Sequence, residues 1–257
     1  MSDININILP TESLKKLFGP SCNAVGQATG AIFKFTFSPL IKYNITKQKE
    51  FDDLTNGVAE KAGKIPENHL DDSKMNQVLK IIESSQYSIS DKNIRDMYKN
   101  LISNSLDDRK NRHINNYFST IISNLSPESA IFLNKLYKNI SYTDTFPILQ
   151  IVKKSNNNDG FTLLSSGEML ISEAYLDVFT LSSFGNYSSI LRILKSLGVI
   201  EISYEQWLTS KIWQNIYNDI FDNYISKNKL SKDDVSFNRG SVCITDLGKS
   251  FMKSVSN

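Results

Sequence analysis

Ser90-Asp-Lys-Asn-Ile-Arg-Asp-Met-Tyr-Lys-Asn-Leu-Ile-Ser-Asn-Ser-Leu-Asp107, resumed at Tyr117-Phe-Ser-Thr-Ile-Ile-Ser-Asn-Leu-Ser-Pro-Glu-Ser-Ala130, is the most regular part of this chain. Ile94, Met97, Tyr98, Leu101, Ile102 and Leu106 recur at intervals of three and four, which predicts a helix with one buried face. Ser88-Ile-Ser-Asp91 fits a capping box ahead of it, with Ser90 as an alternative cap. Asp107 to Asn111 break the pattern; Ile114, Tyr117, Phe118, Ile121, Ile122 and Leu125 restore it. Ser126-Pro127-Glu128 then combines a hydroxyl cap, a proline in the first turn and a carboxylate near the positive end of the dipole. Ile131, Leu133, Leu136 and Tyr137 supply the apolar side of that third helix. Three helices with short connections imply a helical layer in which each buries one face on the others.

Toward the N-terminus, Phe51, Leu54, Val58 and Ala62 form a thin apolar seam on a polar helix over 46–64, ended by Gly63 and Ile65-Pro66-Glu67. A further helix is predicted over 67–84, with Leu70, Val78, Leu79, Ile81 and Ile82 as its apolar members. Residues 1–20 are polar and read as a flexible N-terminus broken by Pro10 and Gly19-Pro20. The stretch 22–41 is richer in small and apolar residues and contains Gly26-Gln-Ala-Thr-Gly30, a spacing that lets helices approach closely. A spanning helix needs about 20 mostly apolar residues. Asn23, Gln27, Lys34 and Pro39 interrupt this run, so a core or interfacial helix is the expectation.

The last third changes character. Phe146-Pro-Ile-Leu-Gln-Ile-Val152 reads as a strand and Ser155-Asn-Asn-Asn-Asp-Gly160 as a turn. From Tyr187 the chain predicts a helix closed by Gly198 and a strand through Ser203. Ser241-Val-Cys-Ile-Thr245 reads as another strand, followed by a helix from Asp246. Helix, strand, strand, helix in that order resembles a winged-helix module, with a helical insertion at about 204–235.

The middle helices resemble the signature of the abortive infection alpha (Abi-alpha) family. Members typically carry a small-residue segment near the N-terminus, a charged helix and then these helices. They often close on Leu-Gly-Leu-Ile and a Leu-Thr-x-x-Gly-Lys-x-Phe-like tail; here the chain reads Leu197-Gly-Val-Ile200 and Ile244-Thr-Asp-Leu-Gly-Lys-Ser-Phe251. Residues 67–137 are the specific part of the resemblance. The run Arg109-Lys-Asn-Arg112-His113 is more basic than the common pattern, which puts a ligand shared with the family there in doubt. The resemblance implies a link to abortive infection, in which an infected bacterial cell dies or stops growing. It carries over no catalytic residue.

The residues offer little chemistry of their own. Asp52-Asp53, Asp71-Asp72, Asp107-Asp108 and Asp233-Asp234 are sequence neighbours, which do not face each other on a helix, and read as solvated turn or cap residues. No metalloprotease, P-loop or nucleophile-elbow motif occurs, and Ser165-Ser-Gly-Glu168 lacks a nameable base. Two histidines, His69 and His113, and two distant cysteines, Cys22 and Cys243, argue against structural zinc and disulfide scaffolding, so a reducing cytoplasm is expected. The start Met-Ser-Asp-Ile-Asn lacks the pattern of a secretory signal. No enzyme activity, catalytic residue, metal or cofactor is expected.

A net charge of +2 does not predict avid nucleic-acid binding. Arg109, Lys110 and Arg112 join two helices and read either as a solvated loop or as an anion site assisted by backbone amides at 113–116. Arg192 and Lys195 are the cations that a DNA-reading helix at 187–197 would offer, few for counterion release from several phosphates. The insertion carries Trp207, Trp213, Tyr217 and Phe221 on a broad aromatic face, expected to pack on the chain itself or, where exposed, to form a partner or self-association surface.

The fold expected is therefore mainly α, even all-α in emphasis: a helical bundle over 21–140, then a winged-helix-like α+β part over 141–257. The function expected is a non-enzymatic antiphage defence protein acting through protein contacts. Two alternatives stand beside it: a winged-helix DNA-binding regulator, and a membrane-acting effector whose residues 22–41 make peripheral or deeper membrane contact.

Overall fold

Spacings of three, four and four place Phe51, Leu54, Val58 and Ala62 on one stripe, and helix α1 (Gln48–Ala62) buries all four. The computed structural model describes residues 48–71, 73–141, 143–154, 168–176 and 184–256, without the side chains of 168, 176 and 184–186. The expectations for 1–20, for 22–41, for the turn at 155–160 and for Ser165 to Gly167 lie outside the described residues.

Helix α2 is Met75–Ser85; the segment before it is a short 3-10 turn, Glu67–His69, so the helix expected over 67–84 is split. The first part leaves the helix because residues 69–71 pair with 106–108: Leu70 and Asp107 form a bridge, with Asp71 N–H on Leu106 O at 3.0 Å and Asp108 N–H on His69 O at 3.0 Å. Helix α3 (Lys92–Ser105) buries Ile94, Met97, Tyr98, Leu101 and Ile102, each contributing about 1.5–3 kcal/mol by leaving water. Its cap is Asp91, whose carboxylate accepts from Ile94 N–H at 3.0 Å. An ionised acceptor at the positive end of the dipole displaces either serine from that position.

Helices α4 (Tyr117–Asn124) and α5 (Pro127–Lys138) follow. Ser126 accepts from Ser129 N–H at 3.1 Å, as the Ser-Pro-Glu start predicts. On α5 the buried residues are Ala130, Phe132, Leu133 and Leu136, while Ile131 faces solvent.

The chain then builds a sheet that corrects the mainly α expectation. Strands β1 (Thr145–Lys153), β2 (Glu168–Leu176), β3 (Phe184–Asn186), β4 (Ile200–Ser203) and β5 (Val235–Ile244) make one antiparallel sheet in the order β3-β2-β1-β5-β4. The fold is α+β. β1 pairs with β5 from Thr145↔Cys243 to Lys153↔Val235, and its pairing with β2 begins at Ile148↔Tyr175, just past Pro147, whose missing N–H would have interrupted it. β2 escapes sequence reading because Glu-Met-Leu-Ile-Ser-Glu-Ala-Tyr-Leu mixes helix formers with no clean alternation; its partner β1 decides its conformation.

The expected order of helix, strand, insertion, strand and helix is present: α6 (Ser188–Ser196), β4, α7 (Lys211–Asn228), β5 and α8 (Asp246–Val255). Gly198 turns the chain after α6 at φ +72°, the left-handed region that glycine enters without strain. The two strands expected to form a wing pair with each other, and β5 also pairs with β1 inside the larger sheet. The insertion is helical only from Lys211 onward.

The chain divides into two compact units: residues to Ala130 together with those from Ser250, and Ile131–Lys249. In the first, α3 grips the last turn of α8, where Asn100 donates to Val255 O at 2.7 Å and Asn104 to Ser254 O at 2.9 Å. These are carbonyls that a helix end leaves without internal partners. In the second, Ile216, Tyr217, Ile220, Phe221, Tyr224 and Ile225 of α7 pack on one sheet face against Leu149, Ile151 and Ile171.

Candidate functional site

Within the first unit, Leu70, Asp71, Ser73 and Lys74 face Asp108, Asn111 and Arg112 across an open cleft of about 630 Å³. The backbone bridge at Leu70 and Asp107 fixes the two segments side by side. Asp71 then organises the lining. One oxygen accepts from Ser73 N–H at 2.8 Å; the other accepts from the Ser73 hydroxyl at 2.8 Å and from Asn111 Nδ2 at 2.7 Å. The Asn111 bond, aided by Ser73, holds this carboxyl below its ordinary range. Asp108 Oδ1 sits 2.9 Å from His69 Nδ1.

The cations expected at this junction are used differently from one another. Arg109 is spent on Asp107, which is only 2% exposed, through Nε to Oδ1 at 2.8 Å and Nη2 to Oδ2 at 2.7 Å. Lys110 reaches Asn104 Oδ1 at 3.0 Å and does not line the cleft. Arg112 lines it and forms no ion pair among the described residues, and the same holds for Lys74. Lys74 was not singled out in the sequence, because it stands 38 positions from Arg112 and only the bridge brings their segments together.

Two of the backbone amides expected to assist an anion are occupied: His113 N–H bonds Lys110 O, and Ile114 N–H bonds Asn111 O. Nor are the acidic doublets uniformly solvated. Asp107 is buried, and Asp53 accepts from Arg95 at 2.7 Å and from the buried Lys99 at 2.8 Å, tying α1 to α3. Among the described residues, no three His, Cys, Asp or Glu side chains gather as a metal site.

In the second unit, Arg192 is drawn back onto the sheet. Its Nε lies 3.5 Å from the buried Glu173 carboxylate and its Nη2 bonds the Ser172 hydroxyl at 2.8 Å. Lys195 is exposed. Of the aromatic residues singled out, Tyr217 and Phe221 are buried in the sheet-facing core and Trp213 packs partly against it. Trp207 is different. It is 45% exposed, and Ile212 in the first turn of α7 is 71% exposed.

The loop that carries Trp207 is fixed on both sides. Ser241 donates to Gln206 O at 2.9 Å, Leu208 N–H bonds the Tyr217 hydroxyl at 3.1 Å, and Gln214 donates to Leu208 O at 2.7 Å. Tyr217 in turn donates to Gly240 O at 2.7 Å. Tyr204, at the start of the loop, bonds Ser172 O and lies where any side chain at Gly240 would stand. Burial, and after it the Glu173 charge, push the Tyr204 hydroxyl far above its ordinary range, so it stays a neutral donor.

The helices, the Leu197-Gly-Val-Ile200 turn and the tail through Phe251 occupy one continuous stretch, and the family model for abortive infection alpha matches residues 46–255. The chain belongs to the abortive infection alpha family. Membership suggests a function of the abortive-infection type. No curated protein and no solved structure matches this Abi-alpha chain. Among the described residues, no helix is long and apolar enough to cross a membrane.

Proposed function

We propose that this Abi-alpha protein is a non-enzymatic component of antiphage abortive infection and works through contact with another protein. What supports the reading is the Trp207 loop. Its backbone is held by side-chain bonds from Ser241, Tyr217 and Gln214, yet it presents Trp207 to solvent. An indole on a prepaid, ordered backbone loses little entropy on docking, and tryptophan is enriched among the residues that dominate interface energy. A DNA-reading role for α6 gains no comparable support, because Arg192 is already engaged by Glu173 and Ser172.

Phage challenge of cells with and without the gene tests the proposal, scoring plaques and survival of infected cells. Plaque reduction with host death is the expected result, and Trp207→Ala should abolish it at unchanged protein level. Full susceptibility to a broad phage panel would remove the defence role. Protection by Trp207→Ala equal to wild type would remove the contact surface.

A further inference from the structure

Strand β5 is longer than one of its two neighbours. β1 pairs with it over 235–243, whereas β4, on its other side, pairs only with 241–244. The chain leaves the edge there because the Ser203 hydroxyl accepts from Glu205 N–H and from Gln206 N–H, both at 3.2 Å. Among the described residues, 235–240 therefore have no strand on that side. Lys154 N–H on Asp234 O and Ile244 N–H on Asp144 O direct the even-numbered residues of this strand toward β1. Phe237 and Arg239 then direct their N–H and C=O toward the open side, where no described backbone group bonds them.

Continuing the register of Ser203 and Ser241 would set Glu205 opposite Arg239; turned away, Glu205 forms no ion pair with it. The Arg239 guanidinium lies over the Phe237 ring, 5.4 Å from its centroid, and its Nε is buried without an acceptor. It has no ion pair among the described residues. The loop that leaves the edge carries Trp207, and Ser241 pins it beside the end of the gap through Gln206 O at 2.9 Å.

An open strand edge takes up an extended chain through main-chain bonds, and opposite charges facing each other across a ladder attract. A helical partner has no use for such an edge, since its main-chain groups are bonded internally. Resting on the protein-contact reading above, we propose that the partner adds an extended segment to β5 along 235–240, with a carboxylate opposite Arg239 and Trp207 packed at its end.

Fluorescence polarisation of labelled hexapeptides against the full chain tests this, using acetyl-Thr-Val-Glu-Val-Thr-Val-amide and its forms with glutamine or lysine for the glutamate. The glutamate peptide should bind on the order of tenfold more tightly than the glutamine peptide, and the lysine peptide least. Arg239→Gln should remove the preference and Arg239→Lys should keep most of it, with thermal unfolding checking that both variants stay folded. Of the two ways to N-methylate alternate amides of the peptide, one should abolish binding and the other should spare it, as docking along one side of a strand requires.

No binding, equal binding of the three peptides, or equal effects of the two methylation patterns overturns the inference. A dimer of the chain itself, weakened by Arg239→Gln in sedimentation, gives the edge to a second copy and overturns the choice of a different partner. In phage challenge Arg239→Gln should lose protection as Trp207→Ala does. Protection kept by Arg239→Gln but lost by Trp207→Ala removes the edge and leaves the contact reading standing; protection kept by both removes the contact reading itself.

Discussion

Asp107 and Arg109, two residues apart, hold each other by two parallel bonds of 2.8 and 2.7 Å, and a third runs from Arg109 N–H to Asp107 Oδ1 at 3.1 Å. The Arg109 side chain, ahead of that amide, keeps the Asp107 carboxyl below its ordinary range. This pair separates two arginines that look equivalent in sequence. Arg109→Ala leaves the buried Asp107 carboxylate short of donors, so the melting temperature should fall by several degrees in thermal unfolding. Arg112→Ala, at an exposed residue with no ion pair among the described residues, should leave the melting temperature within a degree or so of the unaltered chain's, as exposed positions do. Identical behaviour of the two variants would contradict the division of labour.

Acid should loosen the contacts that Asp71 and Asp107 hold. Both carboxyls ionise at lower pH in the folded chain than their ordinary value of 3.8, because Asn111 and Ser73 hold the one and Arg109 the other. Their stabilisation is therefore complete above that value and is lost as pH falls below it through the folded value. Melting curves from neutral pH down to about pH 2 should show a shallower acid decline in Asp71→Asn than in wild type. An equally steep decline would remove Asp71 from this role.

Phe221 and Trp207 both looked like partner anchors, and they should behave oppositely. Phe221 is buried, its ring 4.6 Å from that of Phe237, so Phe221→Ala should cost about 3–5 kcal/mol in denaturant unfolding. Trp207→Ala should change stability by less than about 0.5–1 kcal/mol, as exposed positions do. A large loss of stability in Trp207→Ala would make it a packing residue instead.

Lys229 ends α7 at φ +52°, a left-handed conformation taken by a residue with a side chain. The turn closes through Leu230 N–H on Ile225 O at 3.1 Å. Lys229→Gly should therefore raise stability by up to about 1 kcal/mol, seen as a higher denaturant midpoint with unchanged slope. A lower midpoint would show that the lysine side chain contributes more than its backbone strain removes.

The helices were legible because their signal is local. Ile94 to Leu106 and Phe51 to Ala62 repeat at the helical period, and each predicted face is the buried one. Asp91 taking the cap from Ser88 or Ser90 is a contest between neighbours that spacing does not rank. β2 and the 69–71 bridge were not legible, since their backbone groups are satisfied by residues far along the chain, at 145–153 and at 106–108. The same holds for the cleft: a basic run was visible at 109–112, but nothing in it says that Arg109 turns inward or that Lys74 joins Arg112.

By itself the sequence determined the apolar faces of the helices at 48–62 and 92–105, the serine-proline start at 126–127 and which family the motifs belong to, because periodicity, caps and turns act between residues a few positions apart. Only the tertiary structure decided that the second unit is built on a five-stranded sheet, that α7 spends most of its aromatic face inside it, and that Arg109 pairs with Asp107 while Arg112 stays exposed. Those outcomes depend on which distant groups meet. A side chain's chemistry becomes available or is consumed only once its partner in space is fixed.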